Sequence, residues 1–280
     1  MTKTAAPMTS GSIWKQMTFF AMPIFLGNLF QQLYNTVDSL IVGNFLGSSA
    51  LAAVSSSGSL IFMLIGFLSG ISAGAGVIVA RFFGAGDEKN LQRAVHTTVA
   101  FGLVAGVLMT GVGVALSPQI LRWMDTPESV MRESVTYLQI YFAGSLGFVM
   151  YNVLVGILQA VGDSRHPLYY LIVSSVINLV LDLLFITGFH TGVGGAAVAT
   201  VISQIVSALL CFWQLLRTKE SYGLKIRKIR FDKGILVQII KIGLPSGVQN
   251  SIIAFANVVV QSNINAFGEM AMAGYGAYTK

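Results

Sequence analysis

Seven apolar runs, separated by short polar connections, recur along the chain, each near the ~20 residues that a helix needs to cross a bilayer. The pattern predicts spanning helices over about 17–46, 60–83, 95–116, 137–161, 168–189, 195–216 and 235–267. Several runs carry a polar stripe. Gln31, Tyr34, Asn35 and Asp38 recur at helical spacing on one face of the first run. Ser174, Ser175, Asn178 and Asp182 do so in the fifth, and Thr200, Gln204 and Ser207 in the sixth. Asn152 lies in the fourth, and Gln249, Asn250, Asn257 and Gln261 lie in the seventh. Of eleven acidic residues, Asp38 and Asp182 are the two inside the runs. The first run is too long and too polar for a signal peptide and is read as a retained helix.

The seventh run resembles the first. Phe19 to Asn28 reads FFAMPIFLGN, and Ile240 to Asn250 reads IKIGLPSGVQN. Pro23 matches Pro245 and Asn28 matches Asn250; further on, Asn44 matches Asn265, Gly47 matches Gly268 and Ala52 matches Ala273. A copy that restarts after six helices keeps its orientation, which is a parallel repeat. The expected fold is an all-α polytopic membrane protein. A six-helix lobe spans 1–217, a basic connector 218–234, and the first helix of a second lobe 235–280, where the chain stops inside an outer loop. The whole protein is then expected to have about twelve helices.

Composition narrows the class. The chain is 54% hydrophobic and 10% charged, with mean hydropathy +0.74. An ordinary soluble domain is about 25% charged. The net charge of +6 does not indicate nucleic acid, because the basic residues fall in connections on one side. With the N-terminus cytoplasmic, that side holds fourteen cations: Lys3, Lys15, Arg81, Lys89, Arg93, Arg165 and eight between Arg217 and Lys241. The other side holds Arg122 and Arg132. This asymmetry predicts a cell-membrane protein with a cytoplasmic N-terminus. The connector run Lys225-Ile-Arg227-Lys228-Ile-Arg230 reads first as a topology-fixing charge cluster, and its alternation also suits the inner leaflet surface.

Several motifs are assigned to packing or set aside. Cys211 is the single cysteine, which excludes a disulfide within the chain and suits a packing role. Gly70-Ile-Ser-Ala-Gly74 and Gly102-Leu-Val-Ala-Gly106 fit close helix approach. Gly192-Val-Gly194-Gly195 lacks the Lys-Ser/Thr of a phosphate loop. His96, His166 and His190 have no metal spacing.

The carboxylates carry the chemistry. A charge inside a membrane costs about 2.5–3.5 kcal/mol on insertion scales, so two of them imply a use. At ~1.5 Å per residue both belong in the outer half of the bilayer, where they are expected to share a cavity. Two neighbouring carboxylates in a low dielectric do not both stay charged. The pair therefore takes up a proton, or holds Na⁺ with Asn178, Asn152 and Thr200 as neutral oxygen donors. Pro23 removes a backbone bond below Asp38 and is the candidate hinge.

At these residues the sequence resembles the MATE family of multidrug and toxic-compound extrusion transporters. The resemblance is carried by Pro23 with Asn28, and by Val37-Asp38-Ser39-Leu40-Ile41-Val42-Gly43 with Ala52-Ala53-Val54 after it. It is also carried by Gly84-Ala-Gly86, Gln159-Ala-Val-Gly162-Asp163-Ser-Arg165, Asn178-Leu-Val-Leu-Asp182-Leu-Leu-Phe185 and Gly192-Val-Gly194-Gly195-Ala-Ala197. It implies two six-helix lobes around a cavity and cation-driven antiport, by H⁺ or Na⁺, of bulky, often cationic, organic compounds. In the DinF-like branch it implies that Asp38 and Asp182 couple the cation, with Asn178, Asn152 and Thr200 beside them. Gln31, Tyr34, Asn35, Gln204, Asn257 and Gln261 are then the substrate-cavity candidates. Val259 and Val260 stand where the repeat would place Asp38, so coupling is expected in the first lobe alone. The expected partners are small organic substrates and the bilayer, with no nucleic acid, no cofactor beyond the coupling ion and a monomeric state at full length. A flippase for lipid-linked sugars shares the architecture, but would favour a more basic cavity than these Asn, Gln, Ser and Asp stripes. An intramembrane enzyme or scaffold is the remote alternative, since the runs show no nucleophile, base or metal cluster.

Overall fold

The computed structural model describes residues 12–278; Lys3, Lys280 and the outermost predicted lobe limits lie outside them. The described residues form nine α-helices and no strand. They are α1 (Ile13–Leu46), α2 (Ser48–Gly84), α3 (Glu88–Trp123), α4 (Glu128–Ala143), α5 (Ser145–Ala160), α6 (Arg165–Leu183), α7 (Val193–Arg217), α8 (Lys233–Asn265) and α9 (Glu269–Tyr278). α6 runs on through a π-helical turn, Leu184–Gly188. Among them α2, α3, α6 with its π turn, α7 and α8 are long and apolar enough to cross a membrane, and the bent α4–α5 pair makes a sixth. α1 is long enough at 34 residues, but Asn28, Gln31, Gln32, Asn35 and Asp38 dilute its apolarity. The seven predicted spans are thus present as helices, and length and composition support five or six of them.

Three expectations are corrected. The second helix begins at Ser48, not near residue 60. The serines at 56, 57 and 59 interrupt the apolar pattern, yet their hydroxyls find partners across the fold. Ser56 Oγ lies 3.5 Å from Thr126 Oγ1, Ser57 Oγ donates to the Ser134 carbonyl (3.4 Å), and Ser59 Oγ to Gln261 Oε1 (3.4 Å). The fourth run is two helices bent by 50° at Gly144. A Cβ there would fall on Val201 of α7, so the glycine admits the neighbouring helix where the apolar pattern shows no break. The stretch expected to be an outer loop is helix α9.

The first and last helix pairs echo each other. α1 has 34 residues with Pro23 inside, and α8 has 33 with Pro245 inside. Each turns into its successor at a glycine, Gly47 at φ +88° and Gly268 at φ +89°. A side chain would strain either turn.

α2 and α8 run antiparallel along a close seam. A Cβ at Gly70 would fall on the Gly247 backbone, and one at Gly74 on Gly243. In return, Cβ atoms at Gly243 and Gly247 would come within 2.7 Å of Ile71 Cα and 2.8 Å of the Phe67 carbonyl. Gly102 and Gly106 of α3 admit α5 similarly, with Val153 and Leu146 opposite. At the end of the seam away from the basic connections lies a buried amide network. Asn265 Nδ2 donates to the Met124 carbonyl (2.9 Å) and Ser56 Oγ (3.3 Å), and Gln261 Nε2 donates to Asn265 Oδ1 (2.9 Å). Asn265→Leu would strand the Met124 carbonyl and the Gln261 amide, each costing about 1–3 kcal/mol. The melting temperature in detergent should fall. The double variant Gln261→Leu/Asn265→Leu should recover part of the loss, because it removes both sides of one bond.

Apolar packing fills both ends. Leu91, Leu154, Ile157, Leu158, Leu215 and Ile239 are buried toward the basic end, and Val42, Ile61, Leu121, Leu138 and Phe142 toward the other. Asp87 caps α3, accepting the Asn90 backbone N–H (3.1 Å) and side-chain amide (2.6 Å), which hold its carboxyl below the usual carboxylate range.

Candidate cation and substrate site

Asp38 lies 8 residues before the end of α1, and Asp182 lies next to the end of α6, just before the π turn. Both sit in the half of their helix away from the basic connections, as the rise per residue predicts. Asp182 is fully buried (0% exposed) and Asp38 nearly so (9%). The two carboxyls stand within hydrogen-bonding reach and full electrostatic contact. Among the described residues neither oxygen of Asp182 accepts a hydrogen bond from a donor. Two facing carboxyls repel when both are charged, and a shared proton or a bound cation relieves that conflict.

More polar groups without partners lie on α6 and α7. Asn178 Nδ2, Gln204 Oε1 and Ser207 Oγ are buried with no hydrogen bond among the described residues. Proteins rarely leave such atoms unmatched, at about 1–3 kcal/mol each. Two carboxylates with amide and hydroxyl groups make a donor set for a hard cation or a proton. Tyr34 joins the cluster from α1, with Gln31 and Gln204 beside its hydroxyl and both aspartates within electrostatic reach.

The predicted residues are distributed as follows. Asp38, Asp182, Asn178, Tyr34 and Gln204 come together. Asn35 is half-buried one turn before, its carbonyl accepting Ser39 Oγ (3.0 Å). Thr200 donates its hydroxyl to the Ala196 carbonyl (3.0 Å) and keeps a lone pair free for a cation. Asn152 lines a separate cavity, its amide donating to the Phe148 carbonyl (2.9 Å). That cavity, of about 550 Å³, lies between α1, α2, α5 and α6 toward the basic end, with Pro23, Asn28, Gln31 and Gln159 on its wall. Asn257 is exposed, and Gln261 is committed to the seam network. Tyr137 of α4 is the residue that sequence reasoning missed: it is buried and within electrostatic reach of Asp38 and Asp182. Its stacking with Tyr141 one turn on (ring centroids 6.5 Å) was the available signal, an amphipathic aromatic pair at helical spacing.

The fold and site define a multi-pass helical membrane protein organised around an intramembrane carboxylate pair. The MatE family model matches residues 23–184, and the chain belongs to that family, the MATE family. It is 35% identical over 272 residues to "Probable multidrug resistance protein YoeA" of Bacillus subtilis (strain 168), covering 95% of this chain and 59% of that protein. It is 26% identical over 266 residues to "Multidrug export protein MepA" of Staphylococcus saprophyticus, covering 95% and 59%. Among solved structures it is similar to an inward-facing multidrug resistance MATE transporter (TM-score 0.81, 28% identity, 88% of this chain, 56% of that one). It is also similar to an outward-facing one (TM-score 0.83, 25% identity, 99% and 66%). The chain spans about three fifths of the length of the curated relatives it matches.

Proposed function

We propose that this chain supplies the first lobe, and the opening helices of the second, of a proton-coupled exporter of organic compounds that works by alternating access. The lobe covers 1–217, the connector 218–234 and the start of the second lobe 235–280. The N-terminus faces the cytoplasm, and the protein resides in the cell membrane. The observation that carries the reading is Asp182 facing Asp38 with no donor of its own. Separation within hydrogen-bonding reach suits a shared proton, and this favours H⁺ over Na⁺. Protonation ties α1 to α6, and Pro23 lets the lower part of α1 move against the cavity that holds the substrate. Gln31 stands on the wall of that cavity and also lies beside Tyr34, so it links substrate to cation. Relatives described as multidrug resistance and export proteins, and related structures in inward- and outward-facing forms, support the reading.

The test uses the full-length protein in proteoliposomes preloaded with a cationic dye. An imposed pH gradient should drive dye movement, and a Na⁺ gradient at uniform pH should not. Movement driven by Na⁺ alone would reverse the choice of ion, and movement under neither gradient would defeat the antiport reading.

A further inference from the structure

The segment between α7 and α8 is a loop in the sequence pattern, yet its backbone is fastened to α3. The Gln92 amide donates to the carbonyls of Gly223 (3.1 Å) and Ser221. His96 Nε2 accepts the Lys225 backbone N–H (3.0 Å), and His96 Nδ1 lies 2.6 Å from the Gln92 carbonyl. Thr97 Oγ1 accepts the Asp232 N–H (3.1 Å). Leu224 is buried, and Tyr222 packs edge-on against Phe83 (6.2 Å). Asp232, the acid of the strap's C-terminal end, caps α8 through the Ile235 N–H (3.2 Å) and pairs with Arg93 (3.7 Å).

These anchors use backbone groups, uncharged side chains and one acid. The cations are left over. Lys225, Arg227, Lys228, Arg230 and Lys233 are all exposed, and none has an ion-pair partner among the described residues. Between them Ile226 (60% exposed) and Phe231 (47%) also point outward. The strap lies at the ends of spanning helices. Trp213, one turn before the end of α7, is half-exposed with the Arg217 guanidinium 4.8 Å above its ring, the aromatic-and-cation signature of a membrane interface. Topology needs only the number of cations on that side. It does not require a pinned backbone, or isoleucine and phenylalanine turned out among the charges. A nucleic acid or acidic protein would meet the charges but would have no use for the two apolar side chains at this level.

We propose that the strap 225–233 is a binding surface for anionic phospholipid headgroups. The lysines and arginines meet the phosphates, and Ile226 and Phe231 enter the boundary with the acyl chains. Lipid bound there would bear on the end of α7 and the start of α8 together.

The experiment is native mass spectrometry of the full-length protein, delipidated in detergent and offered phosphatidylglycerol and phosphatidylcholine of matched chains. The protein should retain phosphatidylglycerol preferentially. Lys225→Gln/Arg227→Gln/Lys228→Gln/Arg230→Gln should cut that preference at least ~10-fold, given roughly fivefold per cation near an anionic surface. A control with the same net charge, Lys15→Gln/Lys89→Gln/Lys219→Gln/Lys241→Gln, should keep it. No preference in the native protein, or an equal loss in the control, would overturn the proposal. A second measurement survives misfolding of the fourfold variant. Cys211 is buried, so Phe231→Cys, placed in a background free of other exposed cysteines, offers one reactive thiol for a fluorophore. Brominated phosphatidylglycerol should quench it more than brominated phosphatidylcholine, and equal quenching would sink the assignment.

Discussion

Asp182→Asn should abolish proton-driven export while leaving the protein as stable as the native chain, or more so. The side chain keeps its size, and the substitution removes the like-charge conflict with Asp38 across the site. It also removes the group that shares the proton. Coupling free energies between two ligands are typically 1–3 kcal/mol, so gradient-driven dye accumulation should fall about 5- to 150-fold. The loss should appear in accumulation and in the response of dye affinity to pH, which the variant should no longer show. Its melting temperature should be unchanged or raised. A variant that lost transport only because it unfolded would show the opposite pairing. If Asp182→Asn exported dye normally down a pH gradient, the proposed coupling role would be wrong.

The second large effect is expected at the α2–α8 seam. Gly70→Leu and Gly74→Leu each drive a side chain into the backbone of Gly247 or Gly243, where no flexible group can yield. Overpacking typically costs about 1–3 kcal/mol, and backbone opposite backbone belongs at the upper end of that range. Expression and detergent stability should drop sharply for either variant. Gly58→Leu, on the same helix with open space beside it, should be tolerated. Equal stability of the Gly70 and Gly58 variants would show that α2 and α8 are not held in this contact.

Both predictions rest on features that were unequally legible in the sequence. The carboxylate pair was readable because a charge among apolar residues is conspicuous, and the rise per residue put both at one depth. Asn178, Tyr34 and Gln204 followed from helical spacing. Tyr137 did not, because it sits on the first element, α4, of a run that spacing treats as one helix and that Gly144 breaks. Asn152 was assigned to the carboxylates on its chemistry, but the bend turns its helix toward the other cavity. Gln261 looked like a substrate contact and is occupied by Asn265. The glycine pairs on α2 and α3 were visible as motifs, and Gly243 and Gly247 carry the same spacing, but which pairs face each other leaves no trace in a single sequence. The apolar pattern places the start of α2 about twelve residues too late, at about residue 60 instead of Ser48, because the serines at 55–57 and 59 interrupt the run that marks a span.

On the proposed mechanism, a carboxyl pair that closes on one proton would also set the electrical balance of transport. Under the proposed coupling, and with valines at 259 and 260 where the repeat would place a second aspartate, the pair would supply one exchangeable charge per cycle. Trading one inward proton for one outward monovalent cation moves no net charge, so membrane voltage neither helps nor hinders it and the pH difference alone sets the concentration ratio. A neutral compound carried by the same cycle would bring in one net charge and gain about 2.3 kcal/mol per 100 mV. The ratio attainable for each substrate would then depend on its valence before it depended on its fit.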